Sequence, residues 1–200
     1  MARPLLLTPW PRSNVPAERA SRAPRVNVWT ASDVREILIA RGWLATADGM
    51  PSVSGAAAES WMADAAAWLG PHAADRDALA GLLGLVFRYD AREVLASPEA
   101  HAVMLRKGAR EAIRGIGLEI LAGPALDSER FNAIVTAVKQ RFGASGRALF
   151  HPVRLALAGR AGEGELDRVI LLLAAAESAP GLAPVKSARQ RMLEFCAVLD

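Results

Sequence analysis

Cysteine, histidine and long apolar runs are scarce in this chain, and each scarcity removes a class of function. Cys196 is the only cysteine, so no intrachain disulfide can form and the expected compartment is reducing, the cytoplasm. Three scattered histidines, His72, His101 and His151, cannot assemble a zinc site of usual spacing with that single thiol. The longest apolar run, Val169 to Ala176, falls far short of the roughly 20 residues that a membrane span needs. Near the start, Pro9, Trp10 and Pro11 cut the run Leu5 to Leu7 too short for a signal peptide. Runs of β-branched and aromatic residues are also few, which disfavours strands. What the chain has in quantity is alanine and leucine, within 52% hydrophobic residues. These are strong helix formers, and 200 residues suffice for one or two packed cores. The expected fold class is all-α.

Chemistry-bearing motifs are missing as well. No Gly-x-x-x-x-Gly-Lys-Ser/Thr loop and no Rossmann glycine pattern occurs. Gly162-Glu163-Gly164 is flanked by acids that repel phosphate. No spacing suggests a Ser, His and acid triad. We therefore expect no catalytic residue, no cofactor and no metal, and no enzymatic activity of the chain by itself.

Charge is unevenly distributed behind a net +3. Residues 1–30 carry five arginines against one glutamate, and residues 31–100 carry five arginines against ten acids. Residues 101–160 then carry ten lysines and arginines against four acids. A block of that kind suits phosphate neutralisation, in which each cation at a phosphate adds affinity through counterion release. The plainer reading is a solvated helix surface.

Periodicity divides the chain into helices. Residues 1–29, rich in Pro and Arg, read as an extended arm that packs through Leu5, Leu6, Leu7 and Trp10 or stays loosely ordered. Thr30 or Ser32 opens the first helix, with Val34, Ile37, Leu38 and Arg41 on one face and Gly42 at its end. Residues 45–55 read as a loop. Further helices are expected over 56–69 (Trp61, Ala65 and Trp68 on one side), 75–87, 91–96, 98–106 after the Ser97-Pro98-Glu99 start signal, 109–121, and from an Asp127 or Ser128 cap to Phe142. After a turn bracketed by Gly143 and Gly146, Pro152 is expected in the first turn of a helix that Gly159 stops. Helices over 165–176, with Leu166, Val169, Ile170 and Leu173 buried, and from Ser187 to Leu199 complete the series. The expected organisation is the arm at 1–29 and two helical subdomains, 30–96 and 97–200.

One stretch carries a family resemblance. Gly146-Arg147-Ala148-Leu149-Phe150-His151-Pro152-Val153-Arg154-Leu155-Ala156-Leu157-Ala158-Gly159 resembles the Pro-Leu-Arg-x-Ala-Leu-Thr-Gly signature in the C-terminal, anticodon-binding part of bacterial glutamyl-tRNA synthetases. Val153 replaces the usual Leu and Ala158 the usual Thr. The preceding Phe131 to Lys139 is similar to the helix that the family places before the signature, and Gly162 to Asp167 resembles its Gly-Pro-Glu-Leu loop. The likeness is specific over about residues 126–175 and extends more loosely back to about residue 60. The family's His-x-Gly-His and Lys-Met-Ser-Lys-Ser motifs, which hold ATP, are absent from these residues, and 200 residues leave no room for its catalytic domain. Ala73, in Leu69-Gly70-Pro71-His72-Ala73, falls where the family places an Arg that reads the anticodon.

The resemblance coincides with the basic block and implies tRNA as partner, with phosphate contacts from Lys107, Arg110, Arg114, Lys139, Arg141 and Arg147. Arg154 either joins them or forms a buried ion pair between helices. Phe150 is expected in the core, and His151 as a helix cap. Two other roles fit the same residues: a protein-interaction module that docks on a catalytic synthetase subunit, and the tRNA-recognition half of a split enzyme acting in trans. Neither a membrane nor DNA is an expected partner.

Overall fold

A computed structural model of the chain describes residues 28–44, 46–47, 50–51, 55–143 and 145–199. The expected packing of Leu5 to Leu7 and Trp10, and the basic arm up to residue 27, lie outside the described residues. Among the described residues the fold is all-α, and polar caps explain where most helices begin. Thr30 precedes α1 (Ala31–Ala40), accepting from the Asp33 N–H at 3.3 Å while Asp33 accepts from the Thr30 N–H at 2.8 Å. The next elements are α2 (Ala56–Leu69), a single 3-10 turn (Gly70–His72) and α3 (Arg76–Phe87), capped by Asp75. Then come α4 (Ala91–Ala96), capped by Asp90, and α5 (Pro98–Met104), capped by Ser97. Further on, α6 (Ala109–Ala122) has no side-chain cap, and Asp127 caps α7 (Ser128–Phe142). The last three helices are α8 (Arg147–Ala158), α9 (Glu165–Glu177) and α10 (Ala188–Leu199).

Three expectations are corrected. The loop over 45–55 contains a short antiparallel pair, β1 (Thr46–Ala47) with β2 (Met50–Pro51). Arg41 is the exposed C-cap of α1 and leaves the Val34, Ile37, Leu38 face. Pro152 does not open a helix: α8 begins five residues earlier, and Pro152 lies inside it. The absence of its N–H removes one ladder bond, to the Ala148 carbonyl in the exposed first turn. Burial of everything from Pro152 to Ala158 outweighs that loss and puts the second half of α8 at the centre of the core.

Two such central helices organise the core. α8 packs against α5, α6, α9 and α10, while α9 packs against α2 and α3 on its other side. Leu166, Val169, Ile170 and Leu173 are buried as expected, and so is Leu172. The Leu172 carbonyl accepts from the Trp61 indole N–H at 3.0 Å. Trp43 stacks on Phe87 at 4.9 Å, and Trp61 meets Phe87 edge-on at 5.7 Å. The division expected at residue 97 coincides with the α4–α5 junction at Ser97. Buried residues on both sides of it, from Val34 to Phe195, belong to one continuous core.

The least expected core residue is Arg191, at 0% exposure. Its guanidinium donates to the carbonyls of Leu85 at 2.9 Å, Val86 at 2.5 Å, Leu157 at 2.8 Å and Lys186 at 3.1 Å. Leu85 and Val86 end α3, and Leu157 ends α8, so the cation sits at the negative poles of two helices. Tyr89 lies under it, 4.7 Å from ring centre to guanidinium carbon, and donates to the Ala156 carbonyl at 2.5 Å. Burial lowers the Arg191 pKa to about 10, which leaves it charged at neutral pH, and burial raises the Tyr89 pKa well above the phenol's ordinary 10.0.

Two outcomes follow from this arrangement. Replacing Arg191 by Met orphans four carbonyls, and equilibrium denaturation should show a loss of about 3–5 kcal/mol. Tyr89 is the only tyrosine, so the change in absorbance near 295 nm with pH reads it alone, above a constant background from the five tryptophans. In the native protein tyrosinate should appear only well above pH 10, whereas in denaturant it should titrate near 10.

Candidate nucleic-acid interface

The expected phosphate-binding residues come from three helices that meet around α6. Leu105 to Gly108 turn the chain from α5 into α6, and Gly108 has φ +87°, a conformation that favours glycine. Arg106 and Lys107 lie in that turn, both exposed. Arg110 and Arg114 follow at one-turn spacing on the exposed face of α6. Arg110 donates to the Leu199 carbonyl at 3.3 Å, placing it beside the end of α10.

Two contacts bring the other cations to this face. Phe142, the last residue of α7, lies against Gly115 of α6 so closely that a side chain at Gly115 would collide with the ring. The last turn of α7 carries Lys139 and Arg141, and this contact sets them beside the middle of α6. At the other end, the Arg106 guanidinium lies 3.1 Å from Nδ1 of His151, one turn beyond Arg147 on α8. These contacts set the end of α7 against the middle of α6, and the second turn of α8 against the turn that precedes α6.

Carboxylates interrupt this surface only in part. Glu163 pairs with Arg147 at 3.0 Å across an exposed gap, where an ion pair contributes little, and Glu111 is exposed on α6. Among the described residues, no ion pair with a carboxylate involves Lys107, Arg110, Lys139 or Arg141.

Arg154 does not belong to this surface. It is 7% exposed, binds both carboxylate oxygens of Asp167 at 2.7 and 2.8 Å, and donates to the Gly162 carbonyl at 2.6 Å. Its guanidinium also lies 5.0 Å from the centre of the Phe150 ring. The buried ion pair of the two readings is the one observed, and the phosphate role for Arg154 is corrected: a fork matched bidentately to one carboxylate joins α8 to α9. Arg130, in the same basic block, lies along the surface and donates to the Glu119 carbonyl at 2.6 Å near the end of α6. Ala73 is 6% exposed at the end of the 3-10 turn, and its carbonyl accepts from the Trp29 indole at 3.4 Å.

His151 does not cap a helix. It lies in the second turn of α8, half-buried. Arginine only donates, so Nδ1 accepts and the ring proton resides on Nε2, which is buried without a hydrogen-bond partner. Desolvation, reinforced by Arg106, Arg147 and Arg154, lowers its pKa below the ordinary 6.5. What the spacing left hidden is that Arg106 and His151, 45 residues apart, meet in space, and that Phe142 docks on Gly115.

No protein-family model, no curated protein and no solved structure matches the chain.

The His151 shift has a defined sign. Below pH 6.5 the unfolded chain takes up a proton that the folded imidazole refuses, so this group's contribution to stability, complete above 6.5, is lost as pH falls through the lower folded value. A pH series of denaturation curves should show that decline in the native protein and a shallower one in His151→Gln. An NMR titration should place the His151 midpoint below 6.5.

Proposed function

We propose that this protein binds RNA through the surface built on α6 and the facing ends of α7 and α8, and that tRNA is its partner. The observation that supports this best is convergence. Lys107, Arg110, Arg114, Lys139, Arg141 and Arg147 come from separate stretches of chain, and the Arg106–His151 and Phe142–Gly115 contacts bring the elements that carry them together around α6. Flexible cations along a ridge of helices suit a phosphate backbone, which asks for charge along a path and carries no base identity.

The choice of tRNA rests on the resemblance of residues 126–175 to the anticodon-binding part of glutamyl-tRNA synthetases. In this reading the chain contributes RNA grip without the chemistry of aminoacylation, in the cytoplasm, and any catalytic subunit would be a separate partner. Ala73, buried where the family places its anticodon-reading Arg, argues for backbone contacts over base-specific ones at that position. The acidic character of residues 31–100 keeps the opposite end of the sequence from competing for phosphate.

The test is filter binding of tRNA across a salt series. Binding at low salt should weaken on the order of a hundredfold to a thousandfold between about 50 and 200 mM salt, for roughly five or six phosphate contacts. The combined Lys107→Ala, Lys139→Ala variant should flatten the log–log slope by about 0.9 per contact removed. Absence of binding at low salt removes the proposal.

A further inference from the structure

A large aromatic ring at the edge of a cationic surface calls for a reason, because Phe is normally buried. Phe142 is 39% exposed, and one turn further along α6 from its docking site Leu118 is 62% exposed. The way Phe142 packs explains what remains open. The ring approaches Gly115 with Cδ2, Cε2 and Cζ, so one of its edges rests on α6. The Arg141 guanidinium lies 5.4 Å from the ring centre, and no other aromatic ring among the described residues stacks on it. Gly115 is what permits this stance, since a Cβ there would displace the ring.

We infer that Phe142, with Arg141 beside it, is a stacking platform for an unpaired nucleobase, so that the surface takes single-stranded or looped RNA in preference to a duplex. The inference rests on the RNA-binding reading and adds a substrate class to it. Single-strand binding surfaces combine cations that follow the backbone with aromatic or guanidinium planes that receive bases. Both parts are present here: Lys139 and Arg141 share the last turn of α7 with Phe142, and exposed Leu118 lies one turn along α6 from the ring's docking site. A duplex hides its base faces in the stack and can engage the cations only. An acidic peptide would satisfy the charges yet leave the ring face without a matching plane.

The experiment compares the full chain with Phe142→Leu and Phe142→Trp. The probes are an unstructured single-stranded RNA and a blunt RNA duplex of equal phosphate number, both at low salt. Leu keeps the apolar contact with Gly115 while removing the π face. It should weaken single-strand binding roughly tenfold, leave duplex binding within about twofold, and leave the salt slope unchanged. Trp should retain or strengthen single-strand binding. Equal losses on both probes, or no loss on the single strand, overturn the platform while the phosphate surface stands. Failure of the native chain to bind either probe overturns both. Photocrosslinking of an iodouridine-substituted single strand should mark Phe142, and crosslinks confined to other helices would also overturn the assignment. A polyglutamate chain that binds as tightly as RNA, with the same loss in Phe142→Leu, would reassign the surface to protein partners.

Discussion

The fold depends on a buried cation that makes no direct ion pair with a carboxylate among the described residues, although the charge of Glu194 favours it from nearby. Arg191 is solvated by the carbonyls that close α3 and α8 and by the Lys186 carbonyl. The last turn of a helix leaves carbonyls without intrahelical donors, and two helices ending at the same place would leave several such groups facing one another in an apolar interior. A planar guanidinium with five N–H donors satisfies them together, and the partial negative charge of the two helix ends offsets its desolvation. Lysine could not do the same, since its three donors radiate from one point. Tyr89 beneath the guanidinium adds a ring face on one side and ties α8 through the Ala156 carbonyl.

The same competition for arginine explains which cations reach the surface. Near helix ends, a guanidinium is drawn to carbonyls or to a carboxylate: Arg130 goes to Glu119 at the surface, and buried Arg154 to Asp167 and Gly162. Lys107, in the turn before α6, and Lys139 and Arg141, in the last turn of α7, lie instead on the exposed surface. Net charge of a segment thus overstates its capacity for phosphate, because some of its cations serve the fold.

Helix boundaries were legible because they depend on residues three or four positions apart. Thr30 with Asp33, Ser97 with Ala100 and Asp127 with Arg130 all cap as their spacing suggests. The interior of α8 was less so: Pro152 signals a helix start locally, and only the burial of its neighbours on every side overrides that signal. Arg191 was not legible, since the Leu85 and Val86 carbonyls lie 106 and 105 residues earlier. Its sequence trace is an arginine set among Ala188, Met192 and Phe195, the buried face of α10. In the candidate interface, the basic residues were visible as a block. Their separation into structural and outward groups was not, and neither was the docking of Phe142, because both depend on contacts between helices.

The position of α9 between two groups of helices has a consequence for how the chain comes into being. Trp61 finds its acceptor at Leu172, 111 residues later, and α2 and α3 both lie against that same late helix. On a ribosome, the first three helices emerge with Trp61, Met62 and Leu83 lacking the surface that will cover them. Contacts of such long sequence separation close late and slowly. The nascent chain therefore presents an apolar face until Leu172, 111 residues after Trp61, has left the exit tunnel.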